Sequence, residues 1–144
     1  MSFIKGLNDI DNCIKLQKHE GLGLETNPPK ELISLDPSSS RMRICFLDLE
    51  TTGVDKKEDK IIEIAIKCIE ITKNDGSDIR VIDAYESLQD PGIPIPESAT
   101  KINEITDDMV KNKSIDWDYV NEIFKKSQLI VAHNAEFDRG FTDK

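Results

Sequence analysis

Hydrophobic positions in the middle of this chain alternate at period two, and those nearer its two ends recur at helical spacing. Residues 61–71, IIEIAIKCIEI, put Ile62, Ile64, Ile66 and Cys68 on one side and Glu63 and Lys67 on the other, as a half-buried strand does. Before it, Arg43 to Glu50 carries Ile44, Cys45, Phe46, Leu47 and Leu49, a run of strand length that stops at Thr51-Thr52-Gly53 and predicts a buried, central strand. The polar loop 54–60 joins the two. Asn74-Asp75-Gly76 has hairpin-turn chemistry and leads into a third strand over Ile79 to Leu88, closed by Asp90-Pro91-Gly92. Three strands in succession predict an antiparallel meander.

After Pro94 and Pro96 the period changes. Glu97 to Glu104 reads as helix, and Thr106 before Asp107-Asp108 as the capped start of a short turn. Trp117, Val120 and Phe124, joined by Tyr119 and Ile123, line one side of a helix from Asp116 to Lys126, a core-facing stripe. Leu129 to Ala132 predicts a short buried strand, with His133-Asn134 where it ends and a last helix begins. Near the start, Ile10, Cys13, Ile14 and Leu16 predict a short helix over Asn8 to Glu20, and residues 21–41, with Pro28-Pro29, Pro37 and three serines, have linker composition. The expected organisation is a helix and linker over 1–41 and one α/β domain over 42–144.

Composition narrows the class. A third of the residues are charged, no apolar run is long enough to span a bilayer, and no basic-then-apolar leader opens the chain, so the expectation is a soluble cytoplasmic protein with no membrane partner. Three cysteines without a C-x-x-C pair spell neither a disulfide framework nor a zinc knuckle, and Cys45 and Cys68 fall at inward positions as small core hydrophobes. The net charge of −9 argues against a coat protein held on DNA by counterion release alone. That excess lies after Met42, where 22 acidic side chains stand against 14 basic ones. It is either a solvated surface or a carboxylate cluster that wants a cation.

Asp48 and Glu50 interrupt an otherwise apolar strand. Residues two apart in a strand share a face about 6 to 7 Å apart, and two such charges repel by about 2 to 3 kcal/mol at an effective dielectric near 20. Either one carboxyl stays protonated or a hard divalent cation sits between them, and the mouth of a sheet favours the cation.

The longer string Phe46-Leu47-Asp48-Leu49-Glu50-Thr51-Thr52-Gly53 resembles the first motif of the DnaQ-like 3′–5′ exonucleases of the DEDD superfamily, in its DEDDh branch. Ile130 to Asp138, IVAHNAEFD, is similar to that family's second motif, and Ile93 to Val110 to the segment between them, with Asn103-Glu104 where many relatives have His-Gly. The resemblance implies a ribonuclease H-like fold, a mixed sheet of an antiparallel meander plus a parallel strand, flanked by helices and incomplete at the C-terminus. It implies release of nucleoside 5′-monophosphates from the 3′ ends of nucleic acid, DNA sooner than RNA, with two divalent cations, Mg²⁺ or Mn²⁺, and a DNA polymerase as a partner.

Carried over by position, Asp48 would bridge both ions, Glu50 would bind one, and Asp138 would complete the second site. Thr51, Thr52 and Gly53 would lie against the terminal nucleotide, with His133, Asn134 and Phe137 on the substrate side and His133 not the general base. The family's third motif, a histidine followed shortly by an aspartate, has no counterpart before residue 144. The expectation is therefore an impaired or inactive nuclease, and this chain matches roughly the first three-fifths of such a domain. Two other readings stay open: a remnant that binds nucleic acid or a partner without turnover, and a haloacid-dehalogenase-like phosphatase, whose D-x-D-x-T loop Asp48-Leu49-Glu50-Thr51 fits loosely.

Overall fold

β1 (Arg41–Thr51) is the strand on which the rest is assembled in the computed structural model, which describes residues 38–76 and 78–143. The helix expected over Asn8 to Glu20 and nearly all of the linker lie outside the described residues. β2 (Ile61–Thr72) pairs antiparallel with β1, β3 (Arg80–Leu88) pairs antiparallel with β2, and β4 (Leu129–Ala132) lies parallel to β1, giving the order β3-β2-β1-β4. The expected meander is present, and β4 makes the sheet mixed. The helices are α1 (Glu97–Asn103), α2 (Asp107–Val110), α3 (Trp117–Lys125) and α4 (Ala135–Thr142).

The ladder carries the period-two pattern into three dimensions. Cys45 stands opposite Cys68, Leu47 opposite Ile66 and Leu49 opposite Ile64, and all six are buried under Val120 and Ile123 of α3 and Phe141 of α4. The alternate positions pair Phe46 with Lys67, Asp48 with Ala65 and Glu50 with Glu63 on the other face. β1 is central, as expected, but only one of its faces is covered among the described residues, and Phe46 is 43% exposed. The expected burial of β4 also fails: Leu129 and Ile130 are exposed, because β4 pairs only with β1 among the described residues. Apolar composition marks a strand without showing what lies over it.

The stripe on α3 is narrower than its sequence suggests. Val120 and Ile123 are fully buried and Tyr119 and Phe124 pack at their margin, but Trp117, the first residue of the helix, is exposed. Asp116 caps α3 by accepting from the Tyr119 N–H at 3.0 Å. The Tyr119 hydroxyl donates to the fully buried Asp83 at 2.8 Å, and burial, with that carboxylate, pushes its phenol up to about 12. At the start of β1 the buried Arg43 pairs with Glu70 at 2.7 Å and donates to the Lys126 carbonyl. Gln128 closes the junction, its N–H on the Arg43 carbonyl at 3.0 Å and its Oε1 accepting from the Arg43 N–H at 2.7 Å. These bonds set where β4 begins against β1.

Cys45 and Cys68 are buried as expected, but the structure joins them as a disulfide between facing positions of β1 and β2, their Cα atoms 4.2 Å apart. This corrects the reading that the cysteines spell no disulfide, since spacing along the chain does not show which two side chains meet across a ladder.

α1 and α2 form a second, smaller cluster in which Ile95, Ala99, Ile105 and Val110 close over Ile62. Thr106 stands at the start of α2 but makes no side-chain cap; Asp107 Oδ1 instead accepts from the Ile95 N–H at 2.9 Å. Glu104 ends α1 in the left-handed region, with φ 63°. The loop between β1 and β2 is tied by two side chains. The buried Thr52 hydroxyl accepts from the Lys60 N–H at 3.0 Å and donates to Asp59 Oδ1 at 2.9 Å, while Asp59 Oδ2 accepts from the Asp55 N–H at 2.8 Å. Gly53 lies against that carboxylate with no room for a Cβ. Lys56 crosses to α4, where it donates to the Glu136 carbonyl at 2.9 Å and lies over Gly140.

Two stability measurements check this account. Glu104→Gly relieves a left-handed side chain and is expected to stabilise by about 0.5–1 kcal/mol, read as a higher melting midpoint; an unchanged or lower midpoint contradicts it. Gly53→Ala drives a methyl into Asp59 and is expected to cost about 1–3 kcal/mol in urea unfolding. A neutral result would mean that the Thr52–Asp59 tie does not hold the loop.

Candidate active site

The open face of the sheet gathers acid at one end. Asp48 is exposed and Glu50 half-buried, Glu63 faces Glu50 across the ladder, and Glu86 on β3 shares a row with Asp48 through Ala65. The fifth carboxylate comes from α4. Asn134 starts that helix, its carbonyl accepting from the N–H groups of Phe137 at 2.8 Å and Asp138 at 3.1 Å, and this turn brings Asp138 inward until it is 4% exposed.

Electrostatics show which of these groups act on one another. Burial raises the Glu50 carboxyl above its ordinary range and the charge of Asp48 raises it further, while a hydrogen bond from the Asn103 side chain works the other way. Burial also raises Asp138 and Asp48 adds to it, against hydrogen bonds from the backbone at Asp138 and Asn134 and the nearby His133. Asp48 therefore acts on both other acidic members named from the sequence, one from its own strand and one from a helix far along the chain. Glu63 is raised by burial and then by Glu86, Glu50 and Asp48. Ionised carboxylates held this way repel, and proton uptake or a cation relieves them.

The donor set is all carboxylate oxygen, which suits hard cations such as magnesium or manganese, and magnesium keeps several of its waters. Among the described residues no three histidine, cysteine, aspartate or glutamate side chains already close around a metal-sized point. The site is open, with the charges for a cation but no finished cage.

The other sequence-named residues take varied places. The Thr51 hydroxyl donates to the Gly53 carbonyl, and Thr52 and Gly53 are engaged with Asp59, so these three shape the turn through contacts within the chain. His133 and Asn134 are exposed at the turn from β4 to α4. Phe137 is half-buried and packs its ring on Phe141 with centroids 4.9 Å apart.

Five residues at this end escaped the sequence reading. Glu63 faces Glu50 across the ladder, Glu86 acts on Glu63, the Asn103 side chain acts on the Glu50 carboxyl, and Val54 and Ile102, next in the chain to Gly53 and Asn103, are 82% and 83% exposed. An apolar residue directly after Thr-Thr-Gly was the available signal for Val54. Nothing local marks Asn103, because its influence on Glu50 depends on where α1 ends.

Comparison with known proteins agrees with this arrangement. The family model RNase_T, described as exonuclease, matches residues 45–144. The chain is 38% identical over 99 residues to the PolC-type DNA polymerase III of Lacticaseibacillus paracasei, covering 67% of this chain and 6% of that protein. It is 40% identical over 96 residues to the DNA polymerase III subunit epsilon of Treponema pallidum, covering 65% of this chain and 41% of that protein. Among solved structures, Exonuclease X in complex with 5′ overhanging duplex DNA superposes with a TM-score of 0.51 at 30% identity, over 68% of this chain and 52% of that one. The fold is ribonuclease H-like, and the described residues cover its N-terminal part. With Asp48 and Glu50 at the end of a central strand, Asp138 brought to them by α4 and the match running through all three, the chain belongs to the RNase_T exonuclease family.

Proposed function

We propose that this acidic face is the catalytic face of a 3′–5′ exonuclease acting on single-stranded or 3′-ended DNA, with release of nucleoside 5′-monophosphates. What carries the reading is that Asp48 and Glu50 share the open face at the end of β1, with Asp138 turned inward on α4 and Asp48 acting on both. Asp48, Glu50 and Asp138 would hold two divalent cations, magnesium or manganese. Bound cations supply charge stabilisation for the attacking and leaving oxygens of phosphodiester hydrolysis and lower the pKa of the attacking water. The chain's own residues shape the approach: Val54 and Ile102 present apolar surface to a terminal base or sugar, His133 and Asn134 stand at its rim, and Phe137 braces α4 through Phe141. Thr51, Thr52 and Gly53 hold the turn beside the terminal nucleotide.

DNA is favoured over RNA, and a DNA polymerase as partner, by the names of the relatives, of which this chain spans only a small part. No helix among the described residues is long and apolar enough to cross a membrane; a cytoplasmic location is part of the proposal, supported by the DNA polymerase names of the relatives. A second reading is metal-dependent binding of nucleic acid without turnover, for which the open acidic face with its exposed Asp48 leaves room. The test is an assay on 3′-labelled single-stranded DNA with Mn²⁺, paired with calorimetry of Mn²⁺ uptake. Uptake lost in Asp48→Ala together with release of labelled mononucleotide supports the exonuclease. Metal-dependent retention of the strand without release supports the binding reading, and no uptake at all contradicts both.

The raised carboxyls also predict a pH dependence. A carboxyl whose folded pKa exceeds its unfolded one binds protons more tightly when folded, so its contribution to stability is present at low pH and lost as pH rises from the ordinary value to the raised one. Glu50, Glu63 and Asp138 act in this sense. Asp78, Asp90 and Glu122 are lowered and act the opposite way, but only below the ordinary carboxylate range. Metal-free protein is therefore expected to melt higher just above that range than at neutral pH, with Mn²⁺ reducing or reversing the difference. A metal-free melting point that climbs steadily to neutrality would contradict the clustering.

A further inference from the structure

We propose that Lys56 is a positioning residue for Asp138, a strap across the outer side of α4 that holds this carboxylate against the acidic end of β1 for a cation. The inference rests on the proposed metal-binding reading of that face and assigns a residue outside both acidic motifs.

α4 depends on its neighbours for its place. It has eight residues, starts without a side-chain cap, and is too short to be stable alone. Successive residues of a helix are about 100° apart, so Asp138 and Phe141 fall on one side of α4 and Glu136 and Gly140 on the other. Phe141, buried in the main core cluster, anchors the inner side. There Asp138 lines one cleft with Leu47 of β1 and Ala132 of β4, which stand side by side in the sheet.

Lys56 supplies the hold from outside. Its ammonium donates to the Glu136 carbonyl at 2.9 Å, and its side chain lies so close over Gly140 that a Cβ there would overlap the Cδ, Cε and Nζ atoms. Glycine inside a helix costs stability relative to alanine, and at position 140 the missing Cβ is what lets the lysine lie against the backbone. The strap also has a fixed root. Asp59 accepts from the Thr52 hydroxyl at 2.9 Å and from the Asp55 N–H at 2.8 Å, and the Thr52 hydroxyl accepts from the Lys60 N–H at 3.0 Å. The loop carrying Lys56 is thereby tied to the residues just after Glu50. One side chain joins that segment to the residues two before and two after Asp138.

The charge of Lys56 and its strap act on a cation with opposite sign. A positive charge by itself repels the ion, so removing it would tighten uptake. Losing the strap would weaken uptake, by letting α4 carry Asp138 away from Asp48 and Glu50.

The test is Mn²⁺ titration calorimetry on the full 144-residue chain, at a temperature below the melting point of every variant. Lys56→Ala is expected to weaken Mn²⁺ uptake about 5-fold, and Lys56→Arg, which keeps a donor of similar reach, to restore most of it. Gly140→Ala keeps the lysine and its charge but pushes the strap aside, and is expected to weaken uptake likewise. Lys57→Ala removes the same charge from the exposed neighbouring residue and is expected to leave uptake unchanged or slightly tighter. If Lys56→Ala does not fold, Lys56→Met replaces it, since it keeps the length of the side chain and removes the donor. Unchanged or tighter uptake in Lys56→Ala or Lys56→Met, or unaltered uptake in Gly140→Ala, with uptake still lost in Asp48→Ala, overturns the positioning role and leaves the site reading standing. Equal weakening in Lys56→Ala and Lys57→Ala also overturns it, as does failure of Lys56→Arg to restore uptake. No uptake by the parent chain overturns the site reading and this inference with it.

Discussion

A strand presents alternate side chains to opposite faces, and β1 is organised around that constraint. Cys45, Leu47 and Leu49 point into the layer made by α3 and α4, so Phe46, Asp48 and Glu50 have to point away from it. Burial on one side is therefore what presents the carboxylates on the other. A slip of one residue in register would bury two charges and expose the core residues, which ties the acidic face and the hydrophobic cluster to the same ladder.

The charges divide between the two ends of that strand. At its start, Arg41 and Arg43 share Glu70, and Arg41 reaches Asp78, so acidic and basic groups answer one another. At its far end Asp48, Glu50, Glu63 and Glu86 stand on neighbouring positions with Asp138 brought near, and no ion pair is seen there among the described residues. The first end is neutralised by the fold. At the second, burial and then the neighbouring charges raise the carboxyls of Glu50, Glu63 and Asp138. The acidic excess of the later chain is thus partly a local cluster and not only a solvated surface.

Elements set by short-range pattern were legible. The alternation of Ile62, Ile64, Ile66 and Cys68 survives as the buried face of β2, Gly76 sits in the turn before β3, and α3 and α4 start where Asp116 and Asn134 marked them. What misled was burial. Leu129 and Ile130 are as apolar as the core yet lie on an open edge, Trp117 is a helix's first residue turned outward, and Thr106 stands at a cap position without capping. Hydrophobicity states what a side chain prefers, while exposure depends on whether another layer arrives there. The pairing of Cys45 with Cys68 was hidden for a related reason, because facing across a ladder is a matter of register.

The chain alone showed that Asp48 and Glu50 share a face, by strand geometry, while the membership of Glu63 and Glu86 in the same acidic cluster came only with the ladder. Only the tertiary structure decided how these groups sense one another, that Thr52 and Gly53 are engaged with Asp59, and that Asn103, at the end of α1, acts on the Glu50 carboxyl. The physical reason is range. Backbone period and turn chemistry act over a few residues and can be read along a line, whereas desolvation, like-charge repulsion and a hydrogen bond between distant segments exist only once packing has brought the segments together.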